Sequence, residues 1–319
     1  MSPPAGSGRR PVLAVDIGGT KMAAALVDPG GRVLESARVG TPIGPRADAR
    51  ALWRTVTGLV RSLVGDDVKV SGVGVGCGGP MTWPAAEVSP LNIPGWRGFP
   101  LRERLRELFP RVPVRVHNDA VCLAVGEHWR GAGRGAPNLL GMVVSTGVGG
   151  GLVLGGRLID GASGNAGHVG HVVVDPAGPD CICGGKGCLE AFASGPRLAA
   201  WARAQGWAGA TGDTARELAV DAGRGHEVAT RAMERAGSAL GIAIASATHL
   251  CDLDVVTVGG GLSQAGSLLF DPLERAFRRH ARMGFARGVR DVPARLGQEA
   301  GLVGAAALVL SGDRYWSAD

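Results

Sequence analysis

No run of five or six lysines or arginines occurs anywhere in this chain of 319 residues, and its excess of base over acid, 34 against 28 for a net charge of +6, is spread along its length. That argues against nucleic acid as a partner, since such binding gathers basic residues on one face. A diffuse positive field favours small anionic ligands instead. An apolar leader is lacking as well. The opening MSPPAGSGRR reads as a disordered tail over residues 1–10, and the apolar run behind it meets Asp16 too soon for a signal peptide. One uncharged stretch, GAPNLLGMVVSTGVGGGLVLGG at 135–156, has the length of a membrane span. Its glycines predict two buried strands joined by a tight turn instead, so no membrane partner is expected. The reading is a cytoplasmic protein, where reducing conditions disfavour disulfides and leave cysteines for metals.

Cysteines are few, six in all, yet Cys181, Cys183 and Cys188 crowd into CICGGKGC, and His171 stands ten positions before the first. Zinc takes four N or S ligands in a tetrahedron, and a Cys-x-Cys with a third cysteine in a glycine-rich loop delivers three from one turn. His171 is the natural fourth. Buried structural thiols are the competing explanation, but glycines and an aspartate are poor surroundings for an apolar core. A filled four-ligand site has no open position for water, so this zinc would be structural. The chemistry must lie elsewhere.

Three glycine turns follow apolar, β-rich runs. In VLAVDIGGTKMAAALVD the backbone N–H groups of Gly18 and Gly19 can approach an anion, Thr20 adds a hydroxyl and Lys21 a positive charge. Asp16, at the strand end, could orient Mg²⁺ and its waters. The design recurs at MVVSTGVGGGLVLGG, with Thr146 and Gly147 in the turn, and a third turn, Gly259, Gly260 and Gly261, follows LDVVTV. A chain with 54 glycines makes single turns by chance; three so placed describe paired α/β domains that bind a nucleotide.

Taken together, VDIGGTK, VHNDA, VSTGVGGG, AGHVGH, CICGGKGCLEAFASG and VTVGGG resemble the ROK family of sugar kinases (repressors, open reading frames, kinases), within the actin-like ATPase superfamily. The resemblance covers nearly all of the chain after residue 11. It implies an α/β fold of two actin-like (ribonuclease H-like) ATPase domains with a nucleotide and sugar cleft between them. It also implies ATP and Mg²⁺ beside the structural zinc, a hexose or N-acetylhexosamine as substrate, and a homodimer or homotetramer. By resemblance, Asp119 is the catalytic base, Asn118 bonds sugar hydroxyls, Glu190 contacts the sugar, and His171 both binds zinc and touches substrate. Gly259 to Gly261 would lie on the adenosine side. From the residues alone, Asn118 and Asp119 are equally a helix N-cap, and Glu190 a carboxylate facing a helix dipole; these roles can coexist.

One departure stands out. Many family members carry AGE where this chain has AGH at Ala166 to His168, so an acceptor carboxylate gives way to an imidazole that donates and accepts. The form AGHVGHVVVDPAGPDC looks like bacterial N-acetylmannosamine kinases. The segment LNIPGWRGFPLRERL, with Asn92 a candidate sugar contact, looks more like glucokinases.

The expected activity is phosphorylation of the 6-hydroxyl of glucose by ATP. N-acetylmannosamine is the alternative substrate, and polyphosphate a conceivable donor. A sugar-responsive regulator with a helix-turn-helix would need more than the ten residues ahead of the first strand. A non-catalytic sugar-binding or actin-like assembly protein would not need Asp16, Thr20, Asp119 and the second turn. A smaller domain is predicted over 11–119 plus 300–319, and a larger one with the zinc loop over 120–299. In LRERLRELF, Leu101, Leu105, Leu108 and Phe109 are predicted to share one helix face. The helix ATRAMERAGSALGIAIASATHL turns apolar after Gly237, which predicts core rather than a subunit contact.

Overall fold

The computed structural model describes residues 10–44, 47–65, 68–209 and 212–317. Apart from Arg10, the tail expected to be disordered lies outside them.

The described residues divide into two compact units. The first takes the chain up to Arg130, the stretch Asp160–Asn165 and the chain from Gln298 onward. Its sheet begins with β1 (Val12–Ile17), β2 (Lys21–Val27) and β3 (Val33–Gly40), an antiparallel meander, and β4 (Val73–Cys77) runs parallel to β1. A two-stranded ribbon, β5 (Glu87–Val88) with β6 (Phe99–Pro100), stands apart, and β7 (Val114–Asn118) closes the sheet parallel to β4, giving the order β3-β2-β1-β4-β7. β4 is buried throughout and β1 almost so, as expected of parallel strands covered on both faces. β3, at the edge, is largely exposed and carries Glu35 and Arg38, charges that discourage pairing with another chain. The helices are α1 (Ala49–Leu63), capped by Asp48, which accepts the Ala51 N–H, then α2 (Leu101–Leu108) and α3 (Asp119–Arg130).

The second unit, Gly131–Ile159 and Ala166–Gly297, repeats the scheme. β8 (Leu139–Val144), β9 (Val148–Leu154) and β10 (Arg157–Leu158) form the meander, and β11 (Val255–Gly259) and β12 (Arg290–Pro293) follow in parallel, in the order β10-β9-β8-β11-β12. Strand directions match the first sheet throughout. The uncharged stretch 135–156 is the β8–β9 hairpin. Among the described residues no helix is long and apolar enough to cross a membrane. The helices here are α4 (Leu189–Ala193), α5 (Gly195–Ala204), α6 (Ala215–Gly223), α7 (Glu227–Cys251) and α8 (Ser267–His280). Beyond Gly237, Leu240, Ala243 and Ile244 of α7 lie in the core, and Gly241 brings the helix so near α8 that a Cβ there would stand 2.4 Å from Leu273 O. The apolar half is therefore mostly core, with Leu250 at its end 85% exposed.

Helix α9 (Ala300–Leu310) and a short α10 (Gly312–Tyr315) complete the first unit. Almost every side chain of α9 is buried because the helix packs against β1 and β4 on one side and α3 on the other. That packing places α3 in the first unit, so the units part after Arg130 and not at residue 119. The two are also of nearly equal length, unlike the smaller and larger domains expected. One local expectation shifts as well: Leu108 is 39% exposed where the periodicity set it on one face with Leu101 and Leu105, which alone are buried in α2.

Candidate active site and metal-binding loop

In the first unit the candidate residues gather where β1, β4 and β7 end, since the parallel register aligns Ile17 with Cys77 and Cys77 with Asn118. Ligands bind at the carboxyl ends of strands in open α/β sheets. After Asp16 the chain reverses at Gly18, whose N–H donates to Lys21 O, and Thr41 pins the turn by donating Oγ1 to Gly18 O at 2.6 Å. Gly19 faces Asn92 so closely that a Cβ would stand 2.5 Å from the Asn92 Cβ. Thr20, Lys21 and Asn92 are exposed, and Lys21 Nζ donates to Gln298 Oε1.

Asn118 Oδ1 and Asp119 Oδ1 both accept the Ala120 N–H, at 2.9 and 2.8 Å. Asn118 is therefore the cap of α3, the role open to it from the residues alone, and Asp119 is bonded to the same amide. Burial raises the pKa of Asp119, with the Ala120 N–H pulling the other way. Asp16 is raised to about 7, first by burial and then by the charge of Asp119, against the pull of Lys21 and Arg38. A desolvated Asp16 in the field of Asp119 makes a site that favours a proton or a cation.

In the second unit, β8 and β11 run parallel and their turns lie side by side: a Cβ on Gly260, at φ +93°, would stand 2.3 Å from Val144 O. Ser145 N donates to Gly147 O, and Gly195 N to Ser145 O, while Thr146 is exposed at the tip. Glu190, in the first turn of α4, accepts the Val148 N–H at 2.8 Å, and a Cβ on Gly147 would stand 2.8 Å from the same Oε2. The structure thus brings the candidate sugar ligand Glu190 against the second glycine turn. Sequence reasoning did not show this contact, since the two groups lie 42 residues apart.

The ligand atoms of His171, Cys181, Cys183 and Cys188 lie within 4.8 Å of one another. His171 Nδ1 is 3.8 Å from Cys181 Sγ, and Cys183 Sγ 3.8 Å from Cys188 Sγ. The backbone folds tightly to reach this arrangement: Gly185 O accepts from Cys181 N, Cys181 O accepts from Gly184 N, and Gly187 N donates to Pro179 O. Burial and neighbouring sulfurs push Cys188 up to about 12, whereas the Gly185 N–H lowers Cys183. Three sulfurs and one imidazole nitrogen at this spacing are a tetrahedral donor set suited to zinc. All six cysteines are free thiols. His168 is exposed, its ring 6.1 Å from that of His171 and inclined by 27°.

Two α/β units of one topology, each carrying a glycine turn at the strand ends, define the class of the two-domain actin-like ATPases. Within it, the chain belongs to the ROK family, whose sequence pattern matches residues 12–311. It is 36% identical over 318 residues to the glucokinase of Streptomyces coelicolor, across 94% of this chain and 98% of that one. It is 37% identical over 259 residues to the N-acetylmannosamine kinase of Shigella boydii, across 81% and 85%. The crystal structure of a ROK family glucokinase from Streptomyces griseus in complex with glucose and AMPPNP superposes with a TM-score of 0.81 at 34% identity, covering 95% of this chain and all of that one.

Proposed function

We propose that the protein is an ATP-dependent hexose kinase that phosphorylates the 6-hydroxyl of glucose. Asp119 carries the reading: it is a half-buried carboxylate with a raised pKa, held on the strand edge that bears the Asp16–Lys21 turn, in a chain 36% identical to a glucokinase over 94% of its length. Phosphoryl transfer needs a positioned hydroxyl, a base for its proton and positive charge at the phosphates. Asp119 takes the proton of the 6-hydroxyl as the new bond forms, and its raised pKa makes it a stronger base. Asn118, Asn92, His168 and His171 meet the sugar hydroxyls, joined by the Glu190 oxygen that Val148 does not hold. Gly18, Gly19, Thr20 and Lys21, with Thr146 and Gly147, cradle the phosphates, and Gly259 to Gly261 take the adenosine side.

Mg²⁺ entering with ATP fits beside Asp16, because a dication there would draw its pKa down from about 7 and favour the ionised form. When bound, the ion supplies charge neutralisation at the phosphates. Zinc fits the His171–Cys181–Cys183–Cys188 set and would fix the loop that carries His171 and leads into Glu190. A cytoplasmic homo-oligomer completes the reading. Free thiols suit a reducing compartment, and Leu250, Met283 and Phe285 offer exposed apolar surface to a second copy.

His168, in place of the family's frequent glutamate, is the observation that favours an amino-sugar substrate. A coupled ADP-release assay with Mg-ATP and glucose, mannose, N-acetylmannosamine and N-acetylglucosamine decides. Turnover on glucose is expected; turnover on N-acetylmannosamine alone would transfer the reading to amino-sugar breakdown, and turnover on no sugar would overturn it.

A further inference from the structure

We propose that His117 is a positioning residue for the strand end that carries Asn118 and Asp119, the last link of a chain that runs from exposed Ser317 through buried Asp160 to His117. The proposal rests on Asp119 being the base. His117 is 1% exposed and Asp160 8%. The His117 ring uses both nitrogens. Nδ1 accepts the N–H of Asn118 at 2.8 Å, and Nε2 lies 3.0 Å from Asp160 Oδ1. Because Nδ1 must present a lone pair to that N–H, the ring proton belongs on Nε2, where it is donated to Asp160. The hydroxyl of Ser317 donates to the other carboxylate oxygen, Oδ2.

The surroundings make this ring hard to displace. Trp83 packs against it with centroids 4.8 Å apart, and Trp316 packs against Trp83 at 4.9 Å. Gly164 lies so close that a Cβ would stand 2.7 Å from the Trp83 Cβ. Two stretches remote in sequence, at Trp83 and Asp160, therefore meet on one side chain two residues ahead of the proposed base, with Trp316 and Ser317 backing them. β7 is an edge strand, paired only with β4, so its last amide has no second strand to fix it. The imidazole does that work: it is rigid, and its hold on the Asn118 N–H sets the peptide plane from which Asn118 and then Asp119 project. A kinase active site is sensitive to such placement, since a misplacement of about 1 Å can cost about 10²-fold in rate.

The two ring nitrogens can be replaced separately. In His117→Asn the amide oxygen falls near the Nδ1 position and can still accept the Asn118 N–H. In His117→Gln the amide nitrogen reaches toward Asp160, and the acceptor beside Asn118 is lost. Kinetics are measured on the full chain with whichever sugar of the panel is turned over, together with melting temperature and the ring ¹⁵N spectrum of histidine-labelled protein. His117→Gln is expected to lower kcat by about 10- to 100-fold with KM for ATP unchanged and a melting temperature near that of the parent. His117→Asn is expected to recover most of that loss, and one histidine to show protonation at Nε2 alone. Equal kcat in the two variants, or losses that simply follow melting temperature, would overturn the positioning role. Asp119→Asn, assayed alongside, separates the two readings. An active Asp119→Asn enzyme removes the base and this proposal with it; an inactive one beside a fully active His117→Gln removes the proposal alone.

Discussion

Burial raises the pKa of Asp119, and the charge of Asp119 adds to the burial that raises Asp16 to about 7, so the pair is costly to ionise. That cost is a reason to look for chemistry there, since a base kept dry and protonatable is poised for the proton of an alcohol. Asp119→Asn keeps the hydrogen bond to the Ala120 N–H and removes the basicity, so the fold should survive while turnover drops by about 10² to 10⁴. Circular dichroism and the coupled assay check the two halves, and near-parental turnover would remove Asp119 from the chemistry. At this scale the sequence was readable where neighbours act together: VHNDA placed an asparagine and an aspartate at a helix start, and both are there. It was silent on His117 and Asp160, whose meeting 43 residues apart depends on where the chain returns after β10. It was silent too on Glu190 reaching Val148.

Element packing turns on the absence of side chains at a few points. α9 reads AGLVGAAALVL, apolar all round, because it is covered on almost every side, and its small residues let α3 come close. A Cβ on Gly304 would stand 1.6 Å from Cys122 O, and one on Gly126 2.4 Å from Ala300 O. Gly304→Ala must push α3 and α9 apart. A loss of about 1–3 kcal/mol is the usual cost of overpacking, read as a lowered midpoint in urea; an unchanged midpoint would mean that the helices yield freely. This contact is why α3 sits in the first unit. No local pattern in residues 119–130 announces it, since the partner helix begins at residue 300.

At the far edge of the second sheet, Asp291 on β12 is raised to about 7 by burial and by its bond with Glu274, whose own pKa is lowered. Glu274 Oε2 is buried without another donor, so a proton on Asp291 satisfies it. The unfolded chain gives up that proton near the usual 3.8, the folded chain only near 7. Stability should therefore fall as pH rises through this window and level off above it. Asp291→Asn keeps a donor for Glu274 at every pH, so its melting temperature should decline less between about pH 5 and pH 7.5 than the parent's. Parallel curves would show that the pair does not titrate in this range.

On the scale of the whole molecule, the two units share a topology but differ in their proposed tasks. The first holds the base, the second the loop of cysteines and the turns at Thr146–Gly147 and Gly259–Gly261. Sequence periodicity revealed the repeated strand-turn-strand design. It could not reveal that six residues, Asp160–Asn165, return to the first unit, because nothing in their composition differs from a loop. If the zinc loop serves the sugar alone, ligand effects on stability should separate. Each ligand that binds only the folded chain raises stability by about 2.7 kcal/mol at a hundred times its Kd. Glucose and Mg-AMPPNP should each raise the melting temperature of the parent. Cys183→Ser should lose bound zinc, measured by elemental analysis, and most of the glucose shift while keeping the nucleotide shift. Loss of both shifts would show that the loop supports the unit as a whole; retention of stoichiometric metal would show that Cys183 is not a ligand.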